Sequence, residues 1–364
     1  FIMKQDLPYN NLPLLPIDLD NIISPKIYKK VVSANKELAR LNGIEQMNNR
    51  KISEIFLHSL VLTESIDSNI IENINTTIDH VAVSDAIKDL RWNEKETIRY
   101  RNAMIYGLTE MKAKGNILSN NIIIWIQEQI EENKAWIRKT PGTKLMNAQT
   151  WETIYYPPEP QYLDALLSNL EQYINTPELQ DVDDCIKSAV IHYQFESIHP
   201  FLDGNWRTGR ILILLYLIKQ NLLSFPILYI SGYINENKSD YYRLLQEVKT
   251  KNNWGEYILY ILDGIEQQSR ATWDKILVIN SLYKTTLYNL KNNSKLAGIE
   301  KLCDLLFQKI YISFGEILQN LEVSKPTLIK RLSELEEQWI VQKIKDWKNT
   351  LYFLEEYLEL LKRR

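Results

Sequence analysis

The sequence predicts a mainly α fold, and three observations carry that expectation. Apolar residues recur at helical spacing, as in Ile186, Ala189, Val190, Tyr193 and Ile198. The run Ile211–Ile218 is apolar with no polar face, which asks for a helix buried on all sides. Strand signals are confined to a hairpin pattern within Lys139–Pro160 and two short runs near the C-terminus.

Each segment then follows in order. Residues 1–25 are punctuated by Pro8, Pro13, Pro16 and Pro25 and read as an extended arm lying on the body. Residues 26–112 read as helices, Ile52–Thr63 among them, and 113–265 as a helical core interrupted by the hairpin. A helical linker, 266–299, reaches the polar break Lys291-Asn292-Asn293-Ser294-Lys295. Beyond it, 300–364 reads as a module of three helices (Leu302–Ile310, Phe314–Leu321, Pro326–Gln338) and two strands (Ile340–Ile344, Thr350–Phe353). Leu328, Leu332 and Leu335 give its third helix a core face.

Composition excludes several classes. With 45% hydrophobic and 24% charged residues and a net charge of −3, the chain is globular and carries no global basicity that advertises nucleic acid. Ile211–Ile218 is too short to span a bilayer and the first residues lack a signal-peptide core, so no membrane partner is expected. Two cysteines, Cys185 and Cys303, do not make a disulfide scaffold, and a reducing cytoplasm is the expected location.

The chemistry concentrates in twelve residues, His199-Pro200-Phe201-Leu202-Asp203-Gly204-Asn205-Trp206-Arg207-Thr208-Gly209-Arg210. Upstream, Asp183-Asp184 offers an N-cap to a helix; downstream begins the buried apolar one. The loop therefore feeds a helix N-terminus, whose free N–H groups and positive dipole end hold anions. Arg207 and Arg210 can grip phosphate in a forked geometry, Asp203 is a hard oxygen ligand suited to Mg²⁺, and His199 titrates near neutral pH. These are the parts of phosphoryl or nucleotidyl transfer to a hydroxyl. Taken singly, His199 and His192 fit a hydrogen-bonded structural role equally well, and their spacing of seven does not suit a zinc pair.

The run resembles the signature of the Fic (filamentation induced by cAMP) family, H-P-F-x-[DE]-G-N-G-R-x-x-R, at every fixed position except 206. The resemblance implies a Fic-type helical core with a β-hairpin flap, and a reaction that moves AMP from ATP to a Ser, Thr or Tyr of a target protein. It implies His199 as the base, Asp203 as the Mg²⁺ ligand and Gly204 to Arg207 as the phosphate cradle. Asn205 would help to hold the phosphates, Thr208 and Gly209 would continue the nucleotide site, and Arg210 would meet the outermost phosphate. Tyr241, Tyr242 and Asn253 resemble the segment that encloses adenine and ribose. Thr153, Ile154 and Tyr155 fall in the flap, ahead of a Tyr-x-Pro-Pro-like exit, where a target segment would add as a strand.

Ser68-Asn69-Ile70-Ile71-Glu72-Asn73 resembles the [ST]-x-x-x-E-[GN] inhibitory motif of the same family. By that resemblance Ser68, Glu72 and Asn73 are the inhibitory residues and Glu72 pairs with Arg210, denying it to the γ-phosphate; a helix-capping Ser68 is the plainer alternative. The C-terminal module resembles a winged helix. Its third helix bears Lys325, Lys330 and Arg331 but also Glu334, Glu336 and Glu337, so DNA is a weaker expectation than a protein contact or a homodimer. Two other functions stay open: an inactive scaffold that senses nucleotide or binds DNA, and a phosphocholine or phosphate transferase.

Trp206 stands where the family has glycine, at a position expected to need φ > 0. Trp151, Trp339 and Trp347 also fall at turns that ask for glycine, in a chain with 11 glycines and 9 tryptophans. Replacement of glycines, by drift or by an error in the recorded sequence, is the reading that joins them.

Overall fold

Side-chain caps set where several helices start. Asp183 accepts from Cys185 N at 2.9 Å, Ser313 from Glu316 N at 3.2 Å and Ser324 from Thr327 N at 3.3 Å, each relieving an orphan N–H of a first turn. A computed structural model describes residues 7–44, 50–132, 136–146, 153–346 and 349–363. The chain is mainly helical, as expected. In order it forms α1 (Pro25–Asn42), α2 (Arg50–Ile71), α3 (Ile78–Ile87), α4 (Trp92–Ala113), α5 (Asn120–Glu131), the hairpin β1 (Leu145–Met146) and β2 (Thr153–Tyr155), α6 (Pro160–Asn175), α7 (Asp184–Ile198), α8 (Asn205–Lys219), α9 (Ile230–Glu236), α10 (Lys238–Lys251) and the long α11 (Trp254–Asn293). There follow α12 (Ile299–Gln308), β3 (Tyr311–Ser313), α13 (Phe314–Asn320), α14 (Lys325–Glu337), β4 (Gln342–Asp346), β5 (Asn349–Phe353) and α15 (Glu355–Lys362).

The chain divides into two units. The first holds residues up to Leu38, Arg99–Pro226 and Glu236–Gln267. Its centre is α8, whose Ile211–Ile218 stretch is buried at every position, with α7 and α5 packed against it and α6 against α7. Each such side chain contributes roughly 1.5–3 kcal/mol by leaving water, and a helix apolar all round has no other place in a fold. The arm lies on this unit: Leu12, Leu15 and Leu19 are buried, Leu15 exchanges hydrogen bonds of 2.7 and 2.8 Å with Asn169, and Gln194 donates to Pro13 O at 2.8 Å.

The second unit holds Ala39–Ile98, Ile227–Asn235 and Gln268–Arg364. Here α12 and α15 pack on α2, around an aromatic cluster of Phe56, Tyr283, Phe307 and Tyr357 with centroids 4.7–6.1 Å apart along its contacts. The sheet is antiparallel in the order β3-β5-β4, with Tyr311 opposite Phe353 and Gln342 opposite the same residue on the other side. Strands β4 and β5 and the three expected helices fall close to where the sequence put them. The sequence reading lacks β3 and α15, whose lengths of three and eight residues leave little periodicity to read.

Trp339 takes the left-handed conformation expected after a helix, at φ +60 and 80% exposed, where most residues pay ~1–2 kcal/mol relative to glycine. Trp151 and Trp347 lie outside the described residues. The expectation for Trp206 is corrected: it sits in the first turn of α8 at helical φ, and the left-handed residues of this loop are His199 (φ +49) and Gly204 (φ +78). A glycine-like backbone is needed two residues earlier than supposed.

Candidate active site

The twelve-residue run forms the turn from α7 into α8. His199 terminates α7 in the left-handed region (φ 49, ψ 60), its N–H bonded to Phe195 O at 3.0 Å. Gly204 is the N-cap of α8, and glycine is required there twice over: for φ +78, and because a Cβ would stand 2.8 Å from Glu131 Oε1. Asn205 closes the loop on itself, accepting from Phe201 N and donating to Phe201 O, both at 2.9 Å. Its amide therefore fixes the shape of the loop from within. Asp203 is exposed, with Oδ1 accepting from Gly204 N at 2.7 Å.

His199 is 6% exposed and its Nδ1 is buried without a hydrogen-bond partner. Burial, and then the Arg138 guanidinium, lower its pKa to about 3, so the ring is neutral at physiological pH and holds a lone pair for a substrate proton. Thr208 Oγ1, one turn into α8, is likewise buried and unpartnered. Two unmet polar atoms at one helix mouth are costly unless something fills their bonds.

The two arginines differ. Arg207 is nearly buried and ion-paired to Glu131 at the end of α5, so its fork already holds a carboxylate. Arg210 is fully buried inside α8. Gly209 also has a packing role: a Cβ there would lie 2.0 Å from Glu196 Oε1, so the missing side chain lets the Glu196 carboxylate of α7 press against α8. His192 lies beside it, Nδ1 3.1 Å from Gly209 O and Nε2 2.7 Å from Tyr241 OH.

Tyr241 and Tyr242 of α10 do reach the loop. The Trp206 indole stands between them and the imidazole, its centroid 6.1 Å from His199, 6.0 Å from Tyr241 and 5.5 Å from Tyr242. Asn253 is engaged elsewhere, its amide donating to Glu247 Oε2 at 2.8 Å at the end of α10. The flap strands pair antiparallel, Leu145 opposite Tyr155, with Ile154 exposed and Thr153 half-buried; the tip lies outside the described residues. Tyr155 OH donates to Ser197 O at 2.6 Å, and Lys249 lies over the rings of Tyr9 and Tyr155 at 4.4 and 4.7 Å, its pKa lowered by burial to about 8.

In the second unit, Ser68–Asn73 ends α2. Asn73 stops the helix at φ +63, a reason for glycine or asparagine at that place, and Glu72 is half-buried. Ser68 is buried five residues before the stop, inside α2, so the helix-capping alternative does not hold.

Mg²⁺ takes few protein ligands and keeps water and phosphate oxygens. The exposed Asp203 carboxylate beside the helix mouth fits that habit. Among the described residues no three His, Cys, Asp or Glu side chains gather as a closed metal cage. Sequence reasoning missed Arg138, Glu131 and Glu196, which lie outside the signature or between its helices. Their only sequence signal is a charge next to apolar residues. No helix among the described residues is long and apolar enough to cross a membrane.

Comparison with known proteins places this geometry in context. A sequence model of the Fic/DOC family matches residues 118–217, and one of the Fic/DOC family N-terminal region matches 28–109, together half of the chain. A probable protein adenylyltransferase of Aquifex aeolicus is 29% identical over 195 residues, 50% of this chain and 54% of the relative. The protein adenylyltransferase Fic of Drosophila grimshawi is 26% identical over 126 residues, 35% of this chain and 25% of the relative. The chain thus spans about half the length of the first and a quarter of the second. In fold it is similar to a Fic family protein from Desulfovibrio desulfuricans (TM-score 0.56, 19% identity, 91% of this chain and 96% of that one) and to Fic-1 from Caenorhabditis elegans (0.54, 17%, 71% and 73%).

Proposed function

The chain belongs to the Fic/DOC family, and from that premise we propose that it is an autoinhibited protein adenylyltransferase. The observation that carries the reading is a neutral, buried imidazole with an unpartnered Nδ1 at the mouth of α8, the end of a helix that attracts phosphate. The relatives named as protein adenylyltransferases support the reaction type.

In this reading His199 takes the proton of a target hydroxyl. The oxygen bonds to the α-phosphorus of ATP, the bond from that phosphorus to the bridging oxygen breaks, and pyrophosphate leaves. The α8 N-terminus and Arg207 hold phosphate oxygens, Arg207 after exchanging Glu131 for them, and Arg210 meets the outermost phosphate. Mg²⁺, held by Asp203, would supply charge neutralisation on the phosphates. The exposed Ile154 face of the flap presents main chain to a target strand.

Glu72 is the proposed inhibitor, acting on Arg210 so that the γ-phosphate finds no guanidinium. Removal of AMP by water is proposed as a second activity of the same site. Segment 300–364 is read as a winged helix. On α14 Arg331 pairs with Glu334 at 2.8 Å, and Glu336 with Lys343 of β4, which neutralises cations a DNA reader needs and favours a protein partner or homodimer. The Trp206 indole favours one rival reading, a weakly active scaffold, because it stands in the space between base and tyrosines.

Incubation with ATP labelled at the α- or the γ-phosphate tests the proposal on native, Glu72→Gly and His199→Ala proteins. Incorporation of α-label, raised in Glu72→Gly and absent in His199→Ala, is expected. Incorporation of γ-label points to a phosphate transferase; none in any variant leaves the scaffold.

A further inference from the structure

We propose that Arg138 is a positioning residue that couples the flap to the base, because it and Tyr155 together occupy four successive carbonyls at the end of α7. This rests on the adenylyl-transfer reading.

A helix ends with carbonyls that have no intrahelical donor. In α7 and the residues just after it these are taken from the flap side. Ser197 O accepts from Tyr155 OH at 2.6 Å, Ile198 O from Arg138 Nη2 at 3.4 Å, His199 O from Arg138 Nε at 2.8 Å, and Pro200 O from Arg138 N at 2.9 Å. Arg138 Nη2 also donates to Pro158 O, where the chain leaves the flap. Arg138 enters the flap, Tyr155 and Pro158 leave it, and both ends close on one turn of one helix.

Arg138 is 3% exposed. A buried cation is tolerated only where hydrogen bonds replace its water, and a helix C-terminus adds the favourable end of the dipole. The consequence reaches the imidazole. His199 is held in a left-handed conformation that costs ~1–2 kcal/mol for a side-chain-bearing residue. Fixing its carbonyl fixes the peptide plane after it, and with that plane the direction of its Cβ. A target segment that shifts the flap therefore shifts the base with it. The same charge, after burial, helps to keep the ring neutral.

The test compares Arg138→Lys, Arg138→Gln and Tyr155→Phe, each in the Glu72→Gly background, with self-labelling by α-labelled ATP as the activity probe. Two further readouts are the ATP dissociation constant and backbone hydrogen exchange at 153–158 and 197–203. Lysine keeps the charge but cannot fork to several carbonyls. We expect labelling to fall about tenfold to a hundredfold in Arg138→Lys, the scale of a small misplacement of a reacting group, and less in Tyr155→Phe. ATP affinity should stay within about twofold by the same argument, and exchange should accelerate in both segments together. Full labelling in Arg138→Lys, or exchange that moves in one segment only, overturns the coupling. Loss of ATP affinity in parallel with labelling assigns Arg138 to general stability and overturns it too. If the parent labels nothing, adenylyl transfer fails as a reading and the exchange result alone decides on Arg138; should Arg138→Gln not fold, the other two variants decide.

Discussion

His192 and His199 lie seven residues apart on one stretch of chain, and by the usual signs of a perturbed group they are alike. Both are buried, and both have pKa values lowered to about 3, first by burial and then by a guanidinium, Arg210 for one and Arg138 for the other. Their hydrogen bonds differ. A carbonyl only accepts, so His192 Nδ1 carries the proton toward Gly209 O and Nε2 accepts from Tyr241 OH. That ring is a completed brace between α7, α8 and α10. His199 sits one residue past the helix, in a left-handed conformation, with Nδ1 unpartnered. Burial and lowered basicity are common to both rings; the completed bonds of His192 mark a brace, and the unpartnered Nδ1 on a left-handed residue is what the proposal of His199 as the base rests on.

The largest expected effect follows from exchanging their roles by mutation. His199→Ala should lower AMP transfer by about 10²–10⁴, the range for loss of a general base, with a melting temperature close to the parent's. His192→Ala should do the opposite. It strands Tyr241 OH in a dry interior and removes one bond from Gly209 O, which keeps its helical one, a loss of about 2–4 kcal/mol from roughly 1–3 for the unpaired group and about 1 for the lost bond, read by denaturant unfolding. Strong destabilisation by His199→Ala with little by His192→Ala would break the comparison.

This contrast also marks what the sequence holds. The turn between α7 and α8 was legible because the signature packs histidine, carboxylate, glycine and two arginines into one contiguous stretch, and the buried helix because an apolar run such as Ile211–Ile218 has one way to be buried. The capping residue Asp183 and the left-handed Trp339 were legible for the same local reason. What stayed hidden depends on partners far along the chain. Glu131 meets Arg207 from 76 residues away and Arg138 reaches His199 across 61. Gly209 could not be read as a packing residue without knowing that Glu196 of the neighbouring helix faces it. The misplacement of the φ > 0 demand at 206 has a local cause: the helix starts immediately after Gly204, so the next residues are already helical.

A smaller effect sharpens the likeness instead of the difference. Both histidines are neutral in the fold down to about pH 3 but protonate near 6.5 once unfolded. Their folded pKa values are depressed, so the unfolded chain binds more protons throughout that window and stability falls as pH falls through it. Each histidine adds a limiting slope of about 1.4 kcal/mol per pH unit. Unfolding free energies measured between pH 7 and 4 should drop with acid, and His192→Gln should lessen the slope by one histidine's share. An unchanged slope would mean that burial and the Arg210 charge do not hold His192 neutral.

The smallest effect concerns the indole beside the base. Trp206 is at helical φ, so glycine there removes no backbone strain and costs about 1 kcal/mol of helix propensity at most. Any gain from Trp206→Gly must then come from space, because the indole touches the aromatic group formed by His199, Tyr241 and Tyr242 where a nucleotide would lie. We expect ATP to bind about twofold to fivefold tighter in Trp206→Gly, roughly 0.4 to 1 kcal/mol, since 1.4 kcal/mol is tenfold. Calorimetry with ATP on the two proteins separates the cases. Equal affinity would show that the ring lies outside the nucleotide's volume, and that His199 differs from His192 by its open nitrogen without any help from the residue standing next to it.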